Sequence, residues 1–361
     1  MREMVGLRWA RVVSTSGERP GAVELVVALE GATAAAIAYP DLVGDVSPGD
    51  RVLLNVTAVE LGLGTGGVHF VVAVDAEPRS AKAVGRVMKA RYTPLQTAVP
   101  SVEETHATAL DASNGLTGTP IVCVPLHSMI GPAAAGAKAA GAGRVAYVMT
   151  DGAALPGAFS RLVPRLRDAG LLDEFITTGQ AFGGGLEAVT LWSGLLAARE
   201  IARADVVIVA DGPGNLGTET RFGVSALRSG EALNAAGALG GRPVAGLRVS
   251  FADPRARHHG LSHHSRTILE QVCLVPATVA TPRLLGDERD EVWQALRSLE
   301  SVAPMSIVEA DGQPAIELLR QRDVEIESMG RTPEQDPAFF LAAGAAGIVA
   351  ARIAGDAQPE R

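Results

Sequence analysis

The chain has 361 residues, 32 basic against 40 acidic side chains for a net charge of -8, and 47% hydrophobic against 20% charged residues. That apolar content is too high for a disordered chain, and the acidic balance excludes the broad basic surface of a general nucleic-acid binder while leaving room for a local anion site. Cys123 and Cys273 are the only cysteines and both sit in apolar runs, which excludes a disulfide framework and a cysteine-rich zinc site and makes reducing cytoplasm the expected compartment.

Residues 1–85 carry short β-like runs, VGLRWARVV, AVELVVALE, ATAAAIAYP, DRVLLNVTAV and VHFVVAV, separated by the turn signals GERPG, SPGD and GLGTGG. Closely spaced strands with Gly/Pro turns predict a small β-barrel or sandwich domain, expected to cover a crevice or to mediate self-association as a homo-oligomer. The opening MREMVGLRWARVV lacks the apolar core of a secretory signal. The stretch 86–118 reads as a connector, with His106 in its polar part.

From 119 to 361 the texture alternates between strand and helix. Apolar runs IVCVPL (121–126), RVAYVM (144–149), EFITT (174–178), DVVIVA (205–210), PVAGLRV (243–249), CLVPATVA (273–280), SIVEA (306–310) and VEIES (324–328) alternate with helical patterns at 160–172, 186–202 and 287–302. Such βαβ units predict an α/β domain with a doubly wound, mainly parallel (Rossmann-like) sheet and helices on both faces. The apolar stretch AFFLAAGAAGIVAA (338–351) is shorter than the roughly 18–20 residues that span a bilayer, so no membrane partner is expected.

In a parallel sheet the carboxyl ends of the strands share one edge, where ligands bind. Polar or glycine residues follow five successive runs: His127 and Ser128; Thr150, Asp151 and Gly152; Gly183, Gly184, Gly185 and Glu187; Asp211, Gly212 and Gly214; then Ser250, Asp253 and Arg255 ahead of HHGLSHH. That last run holds four of the seven histidines: His258, His259, His263 and His264. Imidazole exchanges protons near neutral pH and ligates transition metals. Three readings stay open: a divalent metal site with His259, His263 and Asp253 as candidate ligands; acid/base or anion-donor histidines; and a histidine-rich helix start. His259 and His263 share a face only if the segment is helical, and Gly260 and Leu261 interrupt one.

Two glycine patterns match GxGxxG. Gly62-Gly64-Gly67 precedes a strand-like run, whereas a dinucleotide fingerprint opens a helix. Gly212-Gly214-Gly217 follows a strand, but no acidic residue closes a strand about 20 residues on, so a generic anion-binding turn with Thr218 is the remaining functional reading. The chain has no HExxH, GxSxG or GxxxxGK[ST]. The residues thus lead to an enzyme, a hydrolase or group transferase, acting on a small anionic metabolite. His259, His263, His264, Asp151 and Asp211 are the catalytic candidates. His127, Ser128, Gly183, Gly184, Gly185, Gly212, Gly214, Thr218 and Arg255 are the binding candidates. The cofactor is open, a divalent metal being the one candidate. The alternative is a non-catalytic metabolite-binding or scaffold protein.

The segments PLHSMIGPAAAGAKAAG, YVMTDGAALPGAFSRLV, AFGGGLEAV, ADGPGNLGTET and SFADPRARHHGLSHHS resemble those of an uncharacterised bacterial family, domain of unknown function 3866, as do YPDLVGDVSPGDRVLLNVTAVELGLGTGGVHFV and the terminal SMGR and DPAFFLAAGAAG. The resemblance covers nearly the whole chain. It implies a bacterial cytoplasmic protein and carries over no catalytic role.

Overall fold

The computed structural model describes residues 4–64, 66–77, 80, 84–301 and 303–356. Met1–Glu3 of the opening segment, Thr65 of the GLGTGG run, residues 78, 79 and 81–83, and residues 302 and 357–361 of the expected α/β domain lie outside the described residues. The chain divides into two units, Met1–Val99 and Pro100–Arg361.

In the first unit, β1 (Leu7–Arg19), β2 (Ala22–Leu29), β3 (Ala32–Ala38), β4 (Arg51–Asn55) and β5 (His69–Val74) close into a barrel of order β1-β2-β3-β5-β4. Period-2 alternation sends Val12, Leu25, Val27, Ala36, Val52, Leu54 and Val71 inward. The β2–β3 turn places Glu30 and Gly31 both at positive φ, the backbone that matches the twist of a hairpin. Gly62, Gly64 and Gly67 fall in the connection between antiparallel β4 and β5, so they open no helix. An antiparallel pair, β6 (Val87–Lys89) and β7 (Thr97–Val99), ends the unit.

The second unit is built on β8 (Pro120–Cys123), β9 (Val145–Thr150), β10 (Glu174–Thr177), β11 (Leu186–Glu187), β12 (Val206–Asp211), β13 (Arg242–Gly246), β16 (Ala277–Pro282) and β17 (Met305–Ala310). They form one eight-stranded sheet of order β11-β10-β9-β12-β8-β13-β16-β17 in which every ladder is parallel. A short antiparallel pair, β14 (Val249–Ser250) and β15 (Gly260–Leu261), lies between β13 and β16 in sequence. Strands buried on both faces divide their side chains between two cores. Val122, Val145, Tyr147, Met149, Val206 and Ile208 pack with helices Ile130–Ala139, Leu162–Asp168, Gln313–Gln321 and Pro337–Asp356. Ile121, Cys123, Ala146, Val148, Val207 and Val209 pack with helices Leu191–Glu200, Arg228–Ala238 and Gly286–Arg297. Crossovers toward β11 use the first face and those toward β17 the second, as right-handed winding demands. Neighbouring strands therefore depart in opposite directions at β9/β12 and again at β8/β13, the two openings where a doubly wound sheet receives ligands.

Three local expectations are revised. The run VEIES at 324–328 pairs with no strand and crosses as irregular chain, its Val324 and Ile326 buried in the core beside helix Ile130–Ala139. The triple glycine leads into the two-residue edge strand β11 before helix Leu191–Glu200 begins at its Thr190 cap. The C-terminal apolar run continues into a 20-residue helix, Pro337–Asp356, long and apolar enough to cross a membrane by length and composition. Its most apolar window is 72% buried within the protein, against the sheet and helix Ile130–Ala139, so packing accounts for its apolarity.

Candidate functional site

The histidine run owes its shape to chain geometry rather than helical spacing. After β14, Ala256–His258 make one 3-10 turn, Gly260–Leu261 pair back on β14, and helix His263–Thr267 starts at Ser262. Gly260 turns the chain at φ +59, and a Cβ there would lie 2.2 Å from Glu291 Oε1. This reversal lays His258 over the start of the helix. The rings of His258, His263 and His264 stand 4.9, 4.9 and 4.3 Å apart, and one nitrogen from each falls within 4.8 Å of the others.

Ser262 organises the trio. Its Oγ caps the helix by accepting from the His264 amide at 3.3 Å and lies 2.8 Å from His258 Nδ1. His263 Nε2 is buried without a hydrogen-bond partner. Burial first, then the Arg248 guanidinium, pushes His258 and His264 down to about 3; burial and then Arg257 lower His263 as well. The three rings are thus neutral at physiological pH.

Around them runs a cationic wall. Arg248 is 3% exposed and its Nη2 donates to Asp253 Oδ2 at 3.0 Å, while its Nη1 lies 3.4 Å from His264 Nδ1. Burial lowers Arg248 to about 10. Arg255 grips the same carboxylate through Nε and Nη2 at 2.9 and 2.8 Å, holding Asp253 far below the usual carboxylate range. Arg331 reaches Asp253 at 3.7 Å and pairs with Asp336 at 3.1 Å, and Ser250 Oγ donates to Asp336 at 2.7 Å. On the open side is a hollow of about 530 Å³ lined by Arg257, His259, His263, Arg266, Glu291 and Gln294 among others. His263 is the member of the trio that this hollow reaches.

A second polar group occupies the β9/β12 opening. Asp211 is buried and accepts from Thr150 Oγ1, from the Gly152 amide at 3.1 Å and from Asn215 Nδ2 at 3.3 Å; burial raises its pKa. Asp151 pairs with Arg228 at 3.1 Å and accepts from the Gln180 amide at 2.9 Å. One loop bridges the two groups: Asn215 bonds Asp211, and a Cβ on Gly217 would stand 4.0 Å from His264 Cε1.

The remaining candidates lie as follows. His259 is exposed, 4.0 Å from Glu291 and edge-on to Phe251, outside the trio. Asp253 is engaged by arginines, so His258 and His264, not His259 and Asp253, stand with His263. His127 is turned inward, its Nε2 2.7 Å from Ser160 Oγ and its Nδ1 3.2 Å from the Tyr147 hydroxyl, with burial pushing it down to about 4. Ser128 meets Ser328 across 2.9 Å. The amides of Gly183, Gly184 and Gly185 donate to Glu187 Oε1, Thr177 Oγ1 and the Phe175 carbonyl, so the triple glycine spends its donors inside the protein. Gly212 packs against the Ala154 carbonyl, Gly214 turns at φ +89, and exposed Thr218 bonds Thr220. Sequence reasoning raised Arg331 as able to reach the crevice but missed Arg248, which Asp253 links to it, its partner Asp336, and Arg257. The signal for Arg248 was present: a lone arginine inside the apolar run PVAGLRV.

Acid sensitivity follows from this burial. His127, His258 and His264 hold fewer protons folded than unfolded between about pH 3–4 and about 6.5. The unfolded state then binds the extra protons, so stability is full above about pH 6.5 and is lost as pH falls. Three such groups give a slope approaching about 4 kcal/mol per pH unit. Urea midpoints of the chelator-treated chain should drop steeply from pH 7 to pH 5; a flat profile there is incompatible with buried neutral rings.

No curated protein matches the chain. The model of one family, described as "Protein of unknown function (DUF3866)", matches residues 35–347. Covering the barrel from within β3 onward and nearly all of the parallel-sheet unit with its histidine run, this match shows that the chain belongs to the DUF3866 family.

Proposed function

We propose that the chain is an enzyme, a hydrolase or group transferase, that acts on a small anionic metabolite beyond the carboxyl end of β13. The observation that carries this reading is the contact of three neutral imidazoles, one of which, His263, lines a hollow that also holds Arg257 and Arg266. Guanidinium groups grip phosphate or carboxylate oxygens with directed hydrogen bonds. Glu291 on the facing helix opposes an anion near it, which favours binding at the arginine end. A bound anion would then lie beside His263. Asp211 acts in this reading through Asn215 of the loop that reaches His264, and Asp151 is held by Arg228 and the Gln180 amide, so neither is assigned a contact with substrate.

The test is a thermal-shift screen of the full chain against phosphate- and carboxylate-bearing metabolites, followed by mass spectrometry of each stabilising compound after incubation. A hit converted by the protein, and no longer converted by Arg257→Ala or His263→Ala chains of unchanged circular dichroism, supports the reading. A hit recovered chemically intact turns it into a metabolite-binding protein, and a hit indifferent to both replacements moves the site elsewhere.

A further inference from the structure

We infer that His258, His263 and His264 hold one divalent transition-metal ion, of the zinc, cobalt or nickel kind, with the fourth position open to an anion in the hollow. The inference rests on reading the trio as the reaction centre, but its test does not depend on turnover.

The donor set is the first argument. Three imidazoles with no carboxylate among them suit borderline metals and disfavour magnesium or calcium, which take oxygen ligands. Their nitrogens lie within 4.8 Å of one another, and a tetrahedral site with metal–nitrogen bonds of 2.0–2.1 Å needs about 3.3 Å between nitrogens, a closing movement within reach of side-chain rotation.

The unpartnered atom is the second. His263 Nε2 is buried without a hydrogen bond, a costly arrangement that a metal bond would relieve. His258 is oriented as ligating histidines are: Nδ1 lies against Ser262 Oγ, which leaves Nε2 as the free nitrogen. His264 enters at a cost. Arg248 Nη1 contacts its Nδ1 at 3.4 Å, a long contact that is given up or turned over with the ring when a nitrogen ligates.

Charge sets the fourth ligand. Asp253 and Asp336 balance two of Arg248, Arg255 and Arg331, and Arg257 adds a further cation. A bare dication is opposed there, whereas a metal carrying hydroxide or a substrate oxygen is not. Three protein ligands and one open position on the side of a hollow is the pattern of a catalytic rather than a structural site.

The full chain, stripped by dialysis against chelator, is titrated with Co²⁺ and followed by visible d–d absorption. One ion per chain is expected. His263→Ala, at a half-buried helix start, should weaken binding more than about 100-fold, since losing only an outer partner already costs 10–100-fold, and His106→Ala should leave it unchanged. No binding by the wild-type chain, or binding indifferent to His263→Ala, overturns the site. If His263→Ala misfolds, electron paramagnetic resonance of the Cu²⁺-loaded wild-type chain decides: nitrogen couplings from three imidazoles support the site and fewer contradict it. Metal bound by the trio without turnover of any metabolite leaves the site standing and removes the enzymatic reading; turnover that survives complete metal removal, with no Co²⁺ bound, does the reverse.

Discussion

Replacing Asp253 by alanine is expected to destabilise the protein by about 3–5 kcal/mol, the usual effect of breaking a buried ion pair from one side. The carboxylate has no exposed side-chain surface, and Arg248, Arg255 and Arg331 all converge on it. Its removal leaves Arg248, 3% exposed, as a buried guanidinium with no counterion beside it. Surface ion pairs are worth well under this amount, so the size of the loss distinguishes a structural hub from a rim contact. Asp253 also accepts the Arg255 amide at 3.1 Å, and its own amide donates to Ser250 Oγ at 3.0 Å, so the β14 turn loosens with it. Urea denaturation of wild-type and variant chains at neutral pH measures the difference. A change below about 1 kcal/mol means that Arg248 finds solvent or another partner, and the cationic wall around the histidines is then not rigid.

Gly347→Val carries the second large effect. In helix Pro337–Asp356 a Cβ at this position would stand 1.9 Å from the Ala133 carbonyl oxygen and 2.7 Å from the Ala137 nitrogen. The reciprocal contact is as close: a Cβ on Gly136 would meet the Gly344 carbonyl oxygen at 2.2 Å. The two helices touch backbone to backbone, and no flexible side chain is there to move aside. Overpacking a core costs typically 1–3 kcal/mol and more where backbone must shift, so a loss of about 3 kcal/mol or insoluble expression is expected. Gly355→Ala in the same helix, where a Cβ meets nothing within 4 Å, is the control, and helix propensity alone makes it neutral or slightly stabilising. Equal urea midpoints for wild-type and Gly347→Val chains would mean that the helices do not pack this closely.

The two architectures were legible because each is written in local pattern. Short β runs separated by turn signals such as GERPG and SPGD fold into the barrel. Apolar runs separated by amphipathic stretches fold into the parallel sheet, and parallelism alone brings His127, Asp151, Asp211 and Asp253 toward one edge. What the pattern did not carry was direction. A helical spacing of four pairs His259 with His263, but Gly260 at φ +59 reverses the chain and substitutes His258. The three consecutive glycines look like an anion cradle, yet their amides are consumed by Glu187, Thr177 and the Phe175 carbonyl, partners visible only once β10 and β11 pair. Arg331 and Met329 reach Arg248 and Asp253 from some 80 residues away through an irregular turn at 328–331 that has no periodicity to read.

Nuclear magnetic resonance of the metal-free full chain, ¹³C-labelled at the histidine rings, addresses the packed trio without needing a substrate. With signals assigned by single replacements, His258 and His264 should remain neutral at pH 5, because the rings are shielded by each other and faced by Arg248. Rings that instead protonate with midpoints near 6.5 would be solvated, and the packed, desolvated trio on which this account rests would not exist.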